Sequence, residues 1–129
     1  MREPVWIRED VVLAVHSRQL AEHGGIPGLR DASLLDSALN APKQFFHYEQ
    51  ADIVNLAAAY AFSLSSNHPF ADGNKRTAYV CMLLFLKLNG LDIDAEKSEK
   101  AEIMLKLAAG EINREQLALW IKNHLVVII

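Results

Sequence analysis

Apolar residues recur along this chain at the three-to-four-residue spacing of amphipathic helices, and short clusters rich in glycine, proline or asparagine separate the helical segments. The pattern predicts a first helix from about residues 8–10 to about His23, followed by a breaker cluster at residues 24–28. A short second helix is expected behind Asp31, whose carboxylate can cap it, and Pro42 is expected to end it.

The most regular helical pattern lies in the middle of the chain. Asp52 can cap this third helix, and its apolar positions share one face: Ile53, Leu56, Ala57, Tyr60, Ala61 and Leu64. The helix is expected to end at His68-Pro69, because a residue before proline is disfavoured in the helical region. Residues 77–88 are apolar on nearly every side, which predicts a fourth helix surrounded by protein at the centre of the fold.

Two more amphipathic helices are predicted over about residues 95–109 and 113–124. Residues 43–51 are aromatic and polar without a clear period, and we interpret them as an exposed loop or small hairpin. The apolar tail, residues 125–129, either packs on the body or marks a partner surface. Since no convincing strand alternation occurs, the predicted fold class is all-α: one domain over residues 1–129, with about six helices around a buried central helix.

Composition narrows the possible functions. With 129 residues, 51% of them hydrophobic and 22% charged, the chain is long enough to bury one core. The net charge of −3 argues against nucleic-acid binding through overall charge. The single cysteine, Cys81, excludes an intramolecular disulfide and a cysteine-rich zinc site. No apolar run is long enough to span a bilayer and no secretory pattern opens the sequence, so a soluble cytoplasmic protein is expected.

The chemically richest stretch is HPFADGNKR, residues 68–76, between the third and fourth helices. A buried helix that begins just after Gly73 leaves the N–H groups of residues 73–76 unpaired, and such a helix end attracts anions. Asn74 adds an amide, Lys75 a point charge and Arg76 a fork that suits phosphate oxygens. Two cations at this position each disfavour the helix by ~0.3–1 kcal/mol, an effect that a bound polyanion would reverse.

Other residues of the same stretch suit phosphate chemistry. Asp72 is a natural ligand for Mg²⁺ beside bound phosphates, and His68 can take a proton near neutral pH. Phe70 is expected to anchor the loop in the core. Taken singly, His68 could be a structural loop histidine, Asp72 an N-cap, and Lys75 and Arg76 solvated charges. Together they predict nucleotide-dependent transfer to a hydroxyl group, with His68 as the base.

The stretch HPFADGNKR resembles the signature of the Fic-domain superfamily, HPFx[D/E]GN followed by glycine or lysine and then arginine. Residues 28–39 are similar to the GLRD…LLxSAL segment of its death-on-curing (Doc) toxin branch, and the similarity extends over about residues 11–121. The resemblance implies a Fic-type helical bundle. It also implies that His68 activates a target hydroxyl and that Asp72 binds Mg²⁺ together with the nucleotide phosphates.

The resemblance assigns the remaining motif positions as well. Gly73 and Asn74 fall on the anion nest, and Arg76 falls on the phosphate-binding arginine. Fic enzymes that transfer AMP usually carry glycine at the position of Lys75 and a second arginine at the position of Tyr79. This departure matches the Doc branch, whose members transfer the γ-phosphate of a nucleoside triphosphate to a threonine of elongation factor Tu and so arrest translation.

The resemblance therefore implies an ATP- and Mg²⁺-dependent serine/threonine protein kinase that acts as the toxin of a type II toxin–antitoxin pair. We expect the side chain at Lys75 to fill space that glycine would leave and so to turn the nucleotide. AMP transfer of the wider Fic type remains an alternative. A third possibility, from another class, is a catalytically idle module that only binds a partner.

Two expectations concern partners. The inhibitory pattern of many Fic proteins, [S/T]xxxE[G/N], is matched by the spacing of Ser98 and Glu102, but Ile103 stands where glycine or asparagine is expected. The resemblance then implies restraint by a small antitoxin, whose disordered segment folds into a groove beside the active site. In the wider family a flap registers the backbone of the target, and its expected position here is residues 43–50.

Overall fold

The computed structural model describes residues 2–128, which form six helices and one two-stranded sheet. The elements are α1 (Glu9–His23), α2 (Ala32–Glu49), α3 (Ile53–Asn67), α4 (Asn74–Leu88), β1 (Leu91–Ile93), α5 (Lys97–Ala108), α6 (Arg114–Asn123) and β2 (Leu125–Val127). The predicted all-α class with about six helices is thereby confirmed. Within the described residues, no helix combines the length and the apolarity that crossing a membrane requires.

The central helix is α3, and the expectation that the fourth helix takes this place is wrong. Ten of the 15 residues of α3 are buried, against six of 15 in α4. Residues 57–59 are all alanine and Ala61 follows, so α2, α4 and α6 can pack closely around α3. Tyr60 is fully buried, and its hydroxyl accepts a hydrogen bond from the Ile7 N–H at 3.3 Å. The small side chains therefore place α3, rather than the more uniformly apolar α4, at the centre.

Helix α2 continues through Pro42 to Glu49, so the predicted loop or hairpin at residues 43–50 is wrong. A proline inside a helix costs about 3 kcal/mol. Here the turns beyond it are held by aromatic contacts, because Phe46 is buried and meets Trp6 edge-to-face at 5.8 Å. The Arg114 guanidinium of α6 also lies 4.1 Å from the centre of the Phe45 ring. Tertiary packing thus outweighs the local helix breaker.

The C-terminal segment forms a strand that the sequence did not predict. Strand β2 pairs with β1 in antiparallel register, with Asp92 opposite Val126. Each strand has three residues, which is too short for alternation to be recognised. The tail is attached to the body through backbone pairing, but the side chains of Val126, Val127 and Ile128 are exposed, so the choice between packing and a partner surface stays a prediction. Residue 129 lies outside the described residues.

Four helices differ in how their first turn is satisfied. Asp31 caps α2, Asp52 caps α3 and Asn113 caps α6, each through a side-chain oxygen that accepts a backbone N–H. Helix α4 instead begins at Gly73, which has no side chain to offer. The motif stretch ends at this uncapped helix.

Candidate active site

The N-terminus of α4 keeps its first-turn donors free. Gly73 is the N-cap and adopts a left-handed conformation (φ 77°). Within residues 2–128, the backbone N–H groups of Asn74, Lys75 and Arg76 pair with no acceptor. The first turn carries no acidic residue and two cations, Lys75 and Arg76. The positive end of the helix is therefore compensated by no side chain of the turn, which favours an anionic ligand.

The Asp72 carboxylate is held by two backbone donors. Its Oδ1 accepts the Gly73 N–H at 2.8 Å and its Oδ2 accepts the Ile26 N–H at 3.2 Å. The Ile26 bond, then the Gly73 bond, lower the pKa of Asp72, and the charge of Arg76 adds to this effect. The carboxylate is thus ionised at neutral pH. The N–H of Gly73, expected to be free for an anion, is already engaged by Asp72.

The Ile26 bond depends on a close approach of the loop between α1 and α2. A Cβ placed on Gly25, whose φ is 127°, would lie 2.8 Å from the Asp72 Oδ2 and 2.9 Å from the Leu20 Cδ2. Both contacts are too short for a real side chain. Glycine at position 25 is therefore what allows this loop to reach the acidic residue of the motif.

The side chain of Asn74 stabilises the loop itself. Its Oδ1 accepts the Phe70 N–H and its Nδ2 donates to the Phe70 carbonyl, both at 3.0 Å. The expectation that this amide serves the anion nest is therefore corrected, because its oxygen and one of its two Nδ2 hydrogens hold Phe70, while the backbone N–H of Asn74 has no acceptor within residues 2–128. Phe70 is 2% exposed, and its ring stacks on His16 with a centroid distance of 3.7 Å. Phe70 and Asn74 together fix the path of the chain beneath the site.

His68 lies at the end of α3, with its side chain exposed and its backbone left-handed (φ 49°). That conformation costs a residue with a Cβ roughly 1–2 kcal/mol. Arg30 holds the segment in place, because its Nε donates to the His68 carbonyl at 2.7 Å and its Nη2 donates to the Asn67 carbonyl at 3.0 Å. The guanidinium thus satisfies two carbonyl groups at the C-terminus of α3 and fixes the backbone that carries His68.

The segment around Arg30 pairs with the motif loop as a short antiparallel bridge. Leu29 stands opposite Phe70, the Arg30 N–H donates to the Pro69 carbonyl at 2.7 Å, and the Ala71 N–H donates to the Gly28 carbonyl at 3.1 Å. The two parts of the sequence that resemble the Doc branch, residues 28–39 and 68–76, therefore meet in space.

One edge of this bridge is closed and the other is open. The flanking bonds make Leu29 and Phe70 a non-hydrogen-bonded pair. The backbone N–H and carbonyl groups of Leu29 therefore point away from Phe70, and those of Phe70 point away from Leu29. Asn74 occupies those groups on Phe70. On Leu29 they have no partner within residues 2–128, and its side chain is 42% exposed. The free edge beside the motif loop thus lies at Leu29, whereas the segment expected to be the flap, residues 43–50, is helical to Glu49 and ends at the helix C-cap, Gln50.

Three cavities surround the N-terminus of α4. The first, of about 300 Å³, is lined by His68 and residues 71–76. The second, of about 550 Å³, lies between His68, Lys75 and the C-terminal half of α5. The third, of about 200 Å³, is apolar and lies between α4 and α5, with Tyr79 and Met104 among its walls. The exposed side chain of Lys75 borders all three.

Arg76 is oriented from the loop between α1 and α2. Its Nη2 donates to the Gly24 carbonyl at 3.1 Å, while its buried Nε has no partner within residues 2–128. The structure therefore brings His68, Asp72, Lys75 and Arg76 to one cavity and places Phe70 beneath it. Their chemical roles remain predictions.

Sequence reasoning missed the residues that hold the motif from elsewhere in the chain. Arg30 and Ile26 come from the loop before α2, and His16 comes from α1. His16 is only 5% exposed, and its Nε2 lies 2.9 Å from the Asp72 carbonyl oxygen. Its position four residues after the buried Val12 was the one available signal that this histidine faces the interior.

The fold and site define a helical protein in which an uncapped helix end with two cations, a carboxylate and a histidine line one cavity. The family model "Fic/DOC family" matches residues 6–86. The chain is 30% identical over 113 residues to "Protein kinase doc" of Escherichia phage P1, which covers 87% of this chain and 89% of that protein. It is 33% identical over 117 residues to "Toxin Doc" of Mycolicibacterium smegmatis, covering 86% and 85% respectively. The chain therefore belongs to the Fic/DOC family.

Proposed function

We propose that this protein is the toxin of a type II toxin–antitoxin pair and a Mg²⁺-dependent protein kinase, which transfers the γ-phosphate of ATP to a threonine of elongation factor Tu. The observation that carries the proposal is the uncapped N-terminus of α4, with Lys75 and Arg76 in its first turn and His68 and Asp72 in the same cavity. The similarity to proteins named "Protein kinase doc" and "Toxin Doc" supports the same class.

The residues of the cavity fit phosphates. Three free backbone N–H groups, at Asn74, Lys75 and Arg76, surround the position of an anion, and the remaining N–H groups of Arg76 add a charged donor. The first cavity, about 300 Å³, is a suitable size for a phosphate chain. The nucleoside would then extend beside α5, along one of the two cavities that Lys75 also borders.

Asp72 fits a magnesium ion. Each of its carboxylate oxygens accepts one backbone N–H and so keeps a lone pair. Within residues 2–128, no group of three or more His, Cys, Asp or Glu side chains is arranged to hold a metal ion. One carboxylate suits Mg²⁺, which usually takes its other ligands from substrate phosphates and water. The bound ion would neutralise charge on the phosphates during transfer.

His68 is the base in this proposal. As the acceptor oxygen bonds to the γ-phosphorus, the bond from that phosphorus to ADP breaks, and His68 takes the proton of the hydroxyl. Its ring is exposed to the cavity, while Arg30 fixes its backbone through the 2.7 Å bond to its carbonyl. A positioned base of this kind contributes about 10²–10⁴-fold to the rate.

The acceptor segment docks on the open edge at Leu29. An extended chain can add its own N–H and carbonyl groups to the free ones of Leu29, as in strand addition to a sheet. Leu29 and Ile26, 42% and 64% exposed, offer apolar contacts on the same loop. The loop adjoins the backbone of His68 through Arg30, so the edge would register a hydroxyl beside the base. The flap role moves from residues 43–50 to residues 26–31.

An antitoxin would block this site from the side of α5. The cavity of about 550 Å³ between His68, Lys75 and α5 also exposes Leu105, which is 59% accessible. We infer that the small antitoxin folds its disordered segment here. Expression of the protein alone in the bacterial cytoplasm is expected to stop growth, and co-expression of the adjacent antitoxin gene is expected to restore it. A protein that is harmless without any partner contradicts this part of the proposal.

The reaction itself is tested with ATP labelled at one phosphate. Elongation factor Tu incubated with the protein, Mg²⁺ and γ-labelled ATP is expected to become labelled, and α-labelled ATP is expected to leave it unlabelled. Label transfer from the α position would establish AMP transfer instead. Lys75→Gly tests the role of that side chain, with Lys75→Ala as the control for loss of charge, because glycine is the residue that the AMP-transferring pattern has at this position.

His68→Ala separates the enzyme from an idle binding module. The variant is expected to lose label transfer and toxicity, while its unfolding temperature stays close to that of the unchanged protein because the side chain is exposed. Unchanged toxicity of a folded His68→Ala variant would show that the protein acts by binding alone.

A further inference from the structure

We propose that His16 is a positioning residue, which sets the direction of the Asp72 carboxylate through the peptide group that joins Asp72 to Gly73. The inference rests on the proposed function in so far as that carboxylate serves Mg²⁺. His16 lies on α1, outside the motif, and touches the site from below.

The hydrogen bond of His16 fixes one peptide plane. Its Nε2 lies 2.9 Å from the Asp72 carbonyl oxygen, and because a carbonyl can only accept, this nitrogen carries the proton. In a planar trans peptide the carbonyl and the following N–H point in opposite directions. With the carbonyl held towards α1, the Gly73 N–H points away from α1. That N–H is the donor that binds the Asp72 Oδ1 at 2.8 Å.

The Asp72 carboxylate is therefore oriented through two consecutive hydrogen bonds, of 2.9 and 2.8 Å. His16 holds the carbonyl, and the N–H on the opposite side of the same peptide holds the carboxylate. The Ile26 N–H fixes the second oxygen at 3.2 Å, but it comes from an exposed loop. A rotation of the 72–73 peptide would remove the Gly73 donor and allow the carboxylate to turn.

The ring face of His16 adds a second constraint on the same loop. It stacks on Phe70 at 3.7 Å with an angle of 8° between the rings. A Cβ on Gly73 would lie 3.7 Å from the Nε2 and Cδ2 of His16, so the ring also lies close beneath that residue. His16 thus bonds to Asp72 through its Nε2 and stacks on Phe70 through its face, and it lies close to Gly73.

These two parts of the ring can be separated by substitution. His16→Phe keeps an aromatic face for Phe70 but has no donor for the Asp72 carbonyl. His16→Gln carries its Nε2 at the same number of bonds from Cα as the histidine Nε2, so it restores the donor without the ring. If His16 were only a core residue, the phenylalanine variant would be the milder one; the positioning role predicts the opposite order at the site.

Two measurements test the inference on the full chain. The first is the backbone amide resonance of Gly73 in the protein without ligand, which reports the bond to the carboxylate. It is expected to shift in His16→Phe and to stay near its original position in His16→Gln. The second is the affinity for adenylyl imidodiphosphate by calorimetry, with and without Mg²⁺. The gain in affinity that Mg²⁺ provides is expected to fall by about 10–100-fold in His16→Phe and to recover largely in His16→Gln.

The outcomes separate this inference from the proposed function. An unmoved Gly73 resonance in a folded His16→Phe variant overturns the positioning role. The role is also overturned if the resonance moves but Mg²⁺ still raises the nucleotide affinity as much as it does in the unchanged protein. Equal losses with and without Mg²⁺ would also overturn it, because they indicate general damage to the core. If the unchanged protein binds no Mg²⁺–nucleotide at all, the proposed function fails, and the Gly73 resonance alone decides whether His16 orients the carboxylate.

Discussion

The N-termini of α6 and α4 satisfy the same requirement in opposite ways. At α6, the Asn113 Oδ1 accepts the Gln116 N–H and the Gln116 Oε1 accepts the Asn113 N–H, both at 2.8 Å. Glu115 in the first turn adds a charge of the sign that a helix N-terminus prefers. At α4 the cap is Gly73, and the first turn holds two cations and no acid.

Helices α1 and α5 also lack a side-chain cap, but each carries an acidic residue in its first turn. Among the six helices of residues 2–128, α4 is the one that has neither a side-chain cap nor an acid. Asp31 and Asp52 cap α2 and α3 with carboxylates, so the sequence uses such caps elsewhere. A helix end that lacks them and collects cations is unfavourable for the free protein and favourable for a bound polyanion. The α6 end is thus completed by the chain itself, whereas the α4 end leaves three backbone N–H groups without an acceptor within residues 2–128.

The largest expected difference between the N-termini of α4 and α6 is the loss of nucleotide affinity in the variant Arg76→Ala. Removing a charged donor to phosphate costs about 1.5–3 kcal/mol, which corresponds to a roughly 10–100-fold weaker affinity for Mg²⁺–ATP by calorimetry. Arg114→Ala is the matched control, because Arg114 is the first residue of α6 and lies over the Phe45 ring. It is expected to leave the affinity unchanged. Similar losses in both variants would mean that overall charge, and not the α4 site, binds the nucleotide.

A smaller effect of the opposite kind is expected for Asn113→Ala. The substitution removes the side-chain oxygen that accepts the Gln116 N–H, while the backbone N–H of residue 113 can still donate to Gln116, and it is expected to lower the free energy of unfolding by about 1 kcal/mol. Urea denaturation measures this change, and nucleotide affinity is expected to stay the same. Asn113→Asp keeps a capping oxygen and serves as the control. A loss of nucleotide binding in Asn113→Ala would show that the two helix ends are not independent.

Lys75→Glu brings the α4 terminus closer to the α6 pattern. An acidic residue in the first turn is expected to raise the free energy of unfolding of the ligand-free protein by about 0.3–1 kcal/mol, and to abolish the further stabilisation by Mg²⁺–ATP. Thermal unfolding with and without the nucleotide measures both effects, with Lys75→Gln as an intermediate. If Lys75→Glu destabilises the ligand-free protein, the helix-end argument is wrong.

Much of the fold could be predicted because its signals are local. The caps Asp31 and Asp52 and the end of α3 at His68 follow from residue type and short-range sterics. The continuation of α2 through Pro42 could not be predicted, because the contacts of Phe46 with Trp6 join residues 40 positions apart. Strands β1 and β2 are three residues long and are defined only by each other.

The site likewise has a part that local sequence predicts and a part that depends on residues far apart in the chain. The uncapped helix end after Gly73 could be predicted, since residues 68–76 are contiguous and their order already implies a helix N-terminus. The supports of the site, His16 and Arg30, lie 56 and 38 positions from the groups they hold. A single sequence carries no signal for such pairings. It therefore predicted which residues gather at the cavity, but gave Asn74 and the Gly73 N–H to the ligand when the loop itself uses them.

The smallest expected effect concerns the N-terminus of α2, which is capped by the charged carboxylate of Asp31. The Ser33 hydroxyl, at 2.6 Å, and the backbone N–H groups of Ser33 and Leu34 hold the pKa of Asp31 below its ordinary value of 3.8. A carboxyl whose pKa is lower in the folded state stabilises the fold above the unfolded value, and this contribution is lost as the pH falls through the folded value. Asp31→Asn keeps a capping oxygen without the charge, so its free energy of unfolding is expected to fall less than that of the unchanged protein between pH 7 and acid below 3.8. Ser33→Ala, which removes the hydroxyl donor and raises the pKa of Asp31, is expected to lie between them in urea denaturation series across this range. Parallel pH profiles for all three proteins would show that the charge of Asp31 contributes nothing beyond the cap.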